Sequence, residues 1–145
     1  MTKRQILHVE DNHGDVRLVQ EALQNARYDY QVTVARDGVE GLDCLHRRGG
    51  FAATPRPELI LLDLNLPRKS GYEVLSEIKH DKALRTIPVI VFTSSAASAD
   101  ILKAYEMGAN CYVTKPSDID DLFHIIKAIE AFWFDVAVLA SKLAE

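Results

Sequence analysis

Glu10-Asp11, Asp63, Thr93 and Lys115 each follow a short apolar run, so three carboxylates, a hydroxyl and an amine recur at one kind of place in the chain. If the carboxylates converge, electrostatics restricts what the site can be. Two of them about 4 Å apart repel by roughly 4 kcal/mol at an effective dielectric near 20. Three in one crevice stay ionised only with compensation: one takes up a proton, or a cation enters. Lys115 supplies one positive charge, and a divalent ion would supply two more. Hard oxygen ligands with room left for water favour Mg²⁺ over zinc, and no His or Cys cluster argues otherwise. The chemistry implied is a cation site that then receives something anionic.

The elements that must position these groups are legible as an alternation. Apolar runs at Gln5–Val9, Gln31–Ala35, Glu58–Leu62, Val89–Phe92 and Cys111–Val113 predict five strands. Between them apolar residues recur at helical spacing: Val16, Val19, Leu23; then Val39, Leu42, Leu45; then Val74, Leu75, Ile78; then Ile101, Leu102, Tyr105. Strand–helix alternation of this kind predicts an α/β fold with a parallel sheet covered on both faces. ELILLD and PVIVF are continuously apolar, as doubly covered strands should be, whereas Gln31–Ala35 alternates and suits an edge. Pro88 stands at a strand start, where its missing N–H does little harm. Gly38 and Gly71 mark helix entries, Gly108 reads as a C-cap, and Arg47–Pro57 is the longest breaker-rich loop. In open α/β sheets ligands bind beyond the carboxyl ends of the strands, which is where the acids, Thr93 and Lys115 fall.

Composition bounds the possibilities. The chain has 145 residues, 48% of them hydrophobic and 26% charged, which excludes wholesale disorder and suits one domain. A formal charge of -4 argues against a nucleic-acid surface. Asp135 interrupts the longest aromatic-rich stretch, so no run spans a bilayer, and the apolar segment behind Lys3 and Arg4 reaches Glu10 too soon for a signal peptide. Cys44 and Cys111 fit no metal spacing and read as small hydrophobes; His8, His13, His46, His80 and His124 share no ligand spacing. A cytoplasmic, thiol-reduced protein is the expectation.

ILHVEDN around Glu10-Asp11, LILLDLNLP around Asp63, VIVFTS around Thr93 and CYVTKP around Tyr112 and Lys115 together resemble receiver domains of two-component response regulators. The resemblance runs over Lys3 to Ile129. It implies a flavodoxin-like doubly wound (βα)5 parallel sheet with strand order 2-1-3-4-5. It also implies that Asp63 is phosphorylated from a phosphohistidine on a partner histidine kinase, and that the domain is a phospho-acceptor assisting its own phosphorylation and dephosphorylation, not an enzyme. Asp11, Asp63 and the main-chain carbonyl of Asn65 would hold Mg²⁺, with Glu10 acting on the ion through water. Lys115 would pair with the phosphoryl oxygens, Thr93 would bind the phosphoryl group, and Tyr112 would swing inward as Thr93 moves. A cis bond between Lys115 and Pro116 would aim the amine. Within receivers, TPRPELILLDLNLPRKSGYEVLSEIK and LFHIIKAIEAFW are most similar to cyanobacterial phytochrome response regulators of the Rcp type. Those are stand-alone dimeric receivers whose kinase is a phytochrome-like light sensor.

The tail adds a second expectation. From Asp118, which can cap a helix as Ser117 also can, Ile119, Leu122, Ile126, Ile129, Trp133, Val136 and Ala140 step by threes and fours. A helix to Ala140 would be about 34 Å long, and strands of ~17–20 Å would leave its end overhanging. A single domain over residues 1–145 is thus expected, its core at 3–129 and its helical extension at 118–140. Phe132, Trp133, Phe134, Val136 and Leu139 would then face solvent, and a homodimer would cover them.

Three other readings fit less well. A phosphatase of the haloacid dehalogenase kind would want a second acid where Asn65 stands. A nucleotide-binding domain would want a glycine-rich loop where Asp11-Asn12-His13-Gly14 stands. A receiver-shaped interaction module that takes no phosphate would not need the complete set of acids, hydroxyl and amine.

Overall fold

The computed structural model describes residues 2–143, so residues 1, 144 and 145 of the expected domain lie outside the described residues. Strands β1 (Arg4–Val9), β2 (Tyr30–Ala35), β3 (Leu59–Leu62), β4 (Val89–Thr93) and β5 (Cys111–Thr114) alternate with five helices. The helices are α1 (His13–Gln24), α2 (Gly38–Leu45), α3 (Gly71–His80), α4 (Ser98–Glu106) and α5 (Ile119–Glu130). The sheet is parallel with order β2-β1-β3-β4-β5, as the resemblance implied.

Every residue of β3 and β4 is buried, which is why those two runs are apolar without alternation. Successive side chains serve opposite faces. Leu7, Val9, Ile60, Leu62 and Val91 pack with Val74, Leu75 and Ile78 of α3, while Ile6, Leu59, Leu61, Ile90 and Phe92 pack with Val19 and Leu23 of α1 and Leu122 and Ile126 of α5. Each such side chain contributes about 1.5–3 kcal/mol, so the two cores make the sheet a stiff platform for whatever sits at its rim.

Helix starts are fixed by side chains. Asn12, Asp37 and Asp118 accept from backbone N–H groups of α1, α2 and α5, and Ser70 forms a reciprocal capping box with Glu73 on α3. Gly71 has to be glycine for a different reason: a Cβ there would lie 2.1 Å from the Asp63 carbonyl oxygen. Gly108 takes the left-handed turn expected of a helix stop, with φ of 102°.

Two expectations need correction. The peptide bond before Pro116 is trans. Lys115 N–H bonds the Thr93 carbonyl at 2.7 Å, so the β-ladder carries Lys115 to the rim without a cis bond. The helical path of the tail also stops at Val136, not Ala140: α5 passes into a π-helical stretch, Ala131–Val136, and Ala137 is extended. No glycine or proline marks this break. Glu130 causes it by anchoring, because its carboxylate is buried and accepts from the N–H groups of Arg27 (3.2 Å) and Tyr28 (3.1 Å) and the hydroxyl of Tyr30 (2.6 Å). Asp135 accepts from Arg27 Nη1 at 2.7 Å and from the Tyr28 hydroxyl. The wider turn swings Phe134 inward against Tyr28 and Tyr30, with ring centroids at 6.2 and 5.7 Å, and brings Leu139 into the same core. Phe134 and Leu139 are therefore core residues, while Phe132 (52% exposed) and Val136 (70%) face solvent and Trp133 is half-buried.

Phe134→Ala should lower unfolding free energy by about 3–5 kcal/mol, whereas Val138→Ala, on an exposed side chain, should stay within about 0.5 kcal/mol. Urea denaturation of the two variants checks this; equal, small losses would contradict the inward course of the tail.

Candidate functional site

The rim beyond β1, β3, β4 and β5 is assembled by the sheet's own ladder running one residue past the strands. Glu10 N–H bonds the Ala35 carbonyl at 2.8 Å, Asp63 N–H bonds the Val9 carbonyl at 3.1 Å, and Lys115 is held as above. These bonds fix the backbone from which the functional side chains project, and Glu10, Asp63 and Thr93 are at most 6% exposed.

The acids expected together are together. Glu10, Asp11 and Asp63 each bring a carboxylate oxygen within 4.8 Å of the others, and no second group of three or more potential ligands occurs among the described residues. Lys115 Nζ lies 2.6 Å from Glu10 Oε1, 2.8 Å from Asp15 Oδ2 and 3.1 Å from Asp63 Oδ2. Asp15 carries no signal of this role in the sequence, because an acid in a helix's first turn is ordinary capping chemistry, and only Lys115 arriving from β5 makes it part of the site. The Asn65 N–H donates to Asp63 Oδ1 at 3.3 Å and the Asn12 N–H to Glu10 Oε2 at 3.2 Å. The Tyr112 hydroxyl donates to the Ser95 carbonyl at 2.8 Å, with its ring half-buried against the core. Pro116 lines a small crevice with Asp15, Phe92 and Lys115.

Four carboxylates facing one ammonium leave the crevice short of positive charge. Burial, reinforced by the charge of Asp63, pushes the Glu10 carboxyl up to about 7 even though Lys115 opposes the rise. Burial acts on Asp63 too, but the Thr93 hydroxyl, Glu10 and Lys115 outweigh it and hold that carboxyl below the usual range. Of the two, Glu10 is therefore the acid that takes up a proton more readily and Asp63 the one that stays ionised. Desolvation lowers Lys115, yet its bonds to Asp15 and Glu10 prevail and keep it charged. His8, behind Glu10 on β1, is fully buried and held neutral, at about 4.

Two buried polar atoms here lack directed hydrogen bonds, Glu10 Oε1 and Thr93 Oγ1. Glu10 Oε1 touches Lys115 Nζ at an angle that makes the contact ionic. Thr93 Oγ1 is near enough to favour the Asp63 anion, but its geometry leaves the hydroxyl unpaired. Three carboxylates within 4.8 Å of one another and excess negative charge fit a hard divalent cation. An unpaired hydroxyl and an ammonium beside an ionised carboxylate fit an oxyanion bound next to it.

Residues 6–127 match the response regulator receiver domain family. The chain belongs to that family. It is 46% identical over 134 residues to response regulator Rcp1 of Synechocystis sp., covering 92% of this chain and 91% of that protein. The phosphorylated cyanobacterial phytochrome response regulator RcpA superposes with a TM-score of 0.90 at 47% identity, covering 95% of this chain and 99% of RcpA. The Mn²⁺-bound form of Rcp1 superposes with a TM-score of 0.87 at 45% identity, covering 94% and 98%. The receiver is thus a signalling domain close to the phytochrome response regulators, as the motifs around Asp63 implied. No helix among the described residues is long and apolar enough to cross a membrane.

The raised Glu10 predicts a pH signature for this receiver. Between its ordinary value of 4.5 and about 7 the native protein holds a proton that the unfolded chain releases, so metal-free stability attributable to Glu10 falls as pH rises through that window. His8 acts with the opposite sign between about 4 and 6.5, so wild type must be compared with Glu10→Gln. Added Mg²⁺ or Mn²⁺ should raise the wild-type Tm by several degrees more at pH 8 than at pH 5.5. Glu10→Gln should melt higher than wild type in the metal-free state at pH 8 but not at pH 4. Melting curves with the same pH dependence in both proteins would contradict the assignment.

Proposed function

We propose that this receiver accepts a phosphoryl group on Asp63 from a phosphohistidine of a partner histidine kinase, in a Mg²⁺-dependent relay, and later loses it to water. The observation that carries the reading is the ionised Asp63 carboxylate with Lys115 Nζ 3.1 Å away and the unpaired Thr93 hydroxyl beside it. An Asp63 oxygen forms the new O–P bond as the P–N bond breaks and its electron pair returns to the imidazole. In hydrolysis a water oxygen takes the phosphorus, restoring the carboxylate and releasing inorganic phosphate. The reaction asks chiefly for in-line placement and neutralisation of equatorial oxygens. Lys115 and the Thr93 hydroxyl supply both, and Asp63 is a nucleophile whose acyl phosphate forms and breaks readily.

Asp11, Asp63 and the Asn65 carbonyl would hold Mg²⁺, with Glu10 acting through water; bound there, the ion neutralises phosphoryl oxygens. The acyl phosphate carries about 1.5 to 2 negative charges where the Asp63 carboxylate carried one, and it projects them further into the crevice, which draws the Thr93 hydroxyl and tightens the inward position of Tyr112. A phytochrome-like sensor is the kinase proposed. The likeness to RcpA supports this, as does 40% identity to the bacteriophytochrome response regulator AtBRR over 96% of this chain. We place the protein in the cytoplasm. A second copy would cover the tail surface of Phe132, Trp133 and Val136, where the Phe132 and Trp133 rings meet edge to face at 5.1 Å; Phe134 and Leu139 leave that surface for the core.

Incubation with acetyl phosphate and Mg²⁺ should label wild type and leave Asp63→Asn unlabelled, and a phytochrome-like kinase should pass labelled phosphate to wild type alone. An unlabelled wild type, or equal labelling of the variant, would overturn the reading in favour of a phosphate-independent interaction module. Phe132→Glu/Val136→Glu should shift the protein toward a monomer in sedimentation velocity at micromolar concentration. A wild-type mass that is monomeric at every concentration would remove the dimer.

A further inference from the structure

Four of the five α-helices begin on a side-chain cap; α4 does not, because its N-cap is Ala97. Its start is fastened instead by Asp100, in the first turn of the helix. Asp100 Oδ1 accepts from the Tyr72 hydroxyl at 2.5 Å, and Oδ2 accepts from the Ser95 hydroxyl at 2.6 Å. Ser95 Oγ in turn accepts from the Ala97 N–H at 3.3 Å, and the Ser95 carbonyl accepts from Tyr112 at 2.8 Å. Lys103 Nζ sits 4.1 Å from the centroid of the Tyr72 ring, covering this arm.

Both donors to Asp100 lead back to Asp63. Tyr72 follows Gly71, whose Cα packs on the Asp63 carbonyl so closely that a Cβ would fall 2.1 Å from that oxygen. Ser95 stands two residues beyond Thr93, whose hydroxyl lies beside the Asp63 carboxylate. A closed path runs from Asp63 through Gly71, Tyr72, Asp100 and Ser95 to Thr93 and back to Asp63. The bonds from Ser95 and Tyr72 hold the Asp100 carboxyl below the usual range, while burial and Asp100 push the Tyr72 hydroxyl up. At neutral pH the acceptor is therefore ionised and its two donors keep their protons, which gives the charge-assisted, shorter kind of hydrogen bond.

We propose that Asp100 is a positioning residue: by gripping Tyr72 and Ser95 together it holds the β4–α4 loop where the Thr93 hydroxyl faces Asp63, and so sets the site's affinity for a phosphoryl group. The inference rests on the phospho-acceptor reading of Asp63. It separates two properties of one crevice. Tyr72, Asp100 and Ser95 hydrogen-bond one another and none of the carboxylates of Glu10, Asp11 and Asp63, so the grip on Asp100 leaves cation binding alone. Thr93 comes from β4, so the grip governs how the oxyanion is met. A clamp that only stabilised the fold would not make this distinction.

Beryllium trifluoride, a non-hydrolysable phosphoryl mimic, titrated with Mg²⁺ and followed by fluorine NMR, reads the second property; Mg²⁺ titration without fluoride reads the first. Asp100→Asn should weaken fluoride binding by about tenfold, equivalent to ~1.4 kcal/mol, and leave Mg²⁺ affinity unchanged. Tyr72→Phe, which removes one donor and keeps the ring, should weaken it by a smaller factor, and the double variant should be no weaker than Asp100→Asn, as expected for members of one network. If Asp100→Asn does not fold, Tyr72→Phe decides alone. Variants that bind fluoride as wild type does, whatever their melting temperatures, would overturn the inference, as would a loss matched by an equal loss of Mg²⁺ affinity. A wild type that binds Mg²⁺ but takes up no fluoride would overturn the phospho-acceptor reading and this inference with it.

Discussion

Glu10, Asp11, Asp15 and Asp63 meet at the rim of a parallel sheet with a single ammonium, that of Lys115, among them. In water such a cluster would be mildly unfavourable; with Glu10 fully buried and Asp63 nearly so, the repulsion is strong enough to choose protonation states. Burial makes Glu10 the acid that takes up a proton more readily. The charge stays on Asp63, which Lys115 and neighbouring donors favour. A divalent cation resolves the imbalance, and a phosphoryl group restores negative charge at a place already lined with donors. The site's chemistry follows from this charge deficit.

The rest of the fold keeps that deficit from relaxing. Glu10, Asp63 and Lys115 are each held by a ladder bond to the neighbouring strand, which restricts their backbone. Gly71 lets α3 press against Asp63, which closes the crevice from the side. At the opposite end of α5 the buried Glu130, gripped by two N–H groups and the Tyr30 hydroxyl, turns the tail back over the sheet. That fold-back brings Phe134 and Leu139 into the core beside α1 and α5. The exposed apolar surface left on the tail is consequently narrower than a straight helix would offer.

Residues whose environment is set by the sheet are legible in the sequence. LILL and VIVFT announce buried strands by composition alone, and an acid, hydroxyl or lysine directly after such a run has few places to be except the rim. What failed to show were contacts made between elements distant in sequence. Asp15 looks like any acid in a first helical turn until Lys115 reaches it from 100 residues away. Asp100 looks like a helix-start acid until Tyr72 arrives on α3. The tail misled for a related reason: Trp133, Val136 and Ala140 continue the helical period faithfully, and the signal to leave it lies in Glu130 and Asp135 binding the α1–β2 segment. The cis bond expected before Pro116 was a property of the resemblance, and here the trans bond already delivers the amine.

Asp11 offers the cleanest test of the central claim, because it is exposed, lies outside both cores and has the cation cluster as its role. Mg²⁺ titrated calorimetrically into wild type and Asp11→Asn at pH 8 measures that role directly. The account predicts one Mg²⁺ per chain for wild type and binding at least about tenfold weaker for the variant. Equal affinity in the two proteins, or no Mg²⁺ binding by wild type, would contradict it.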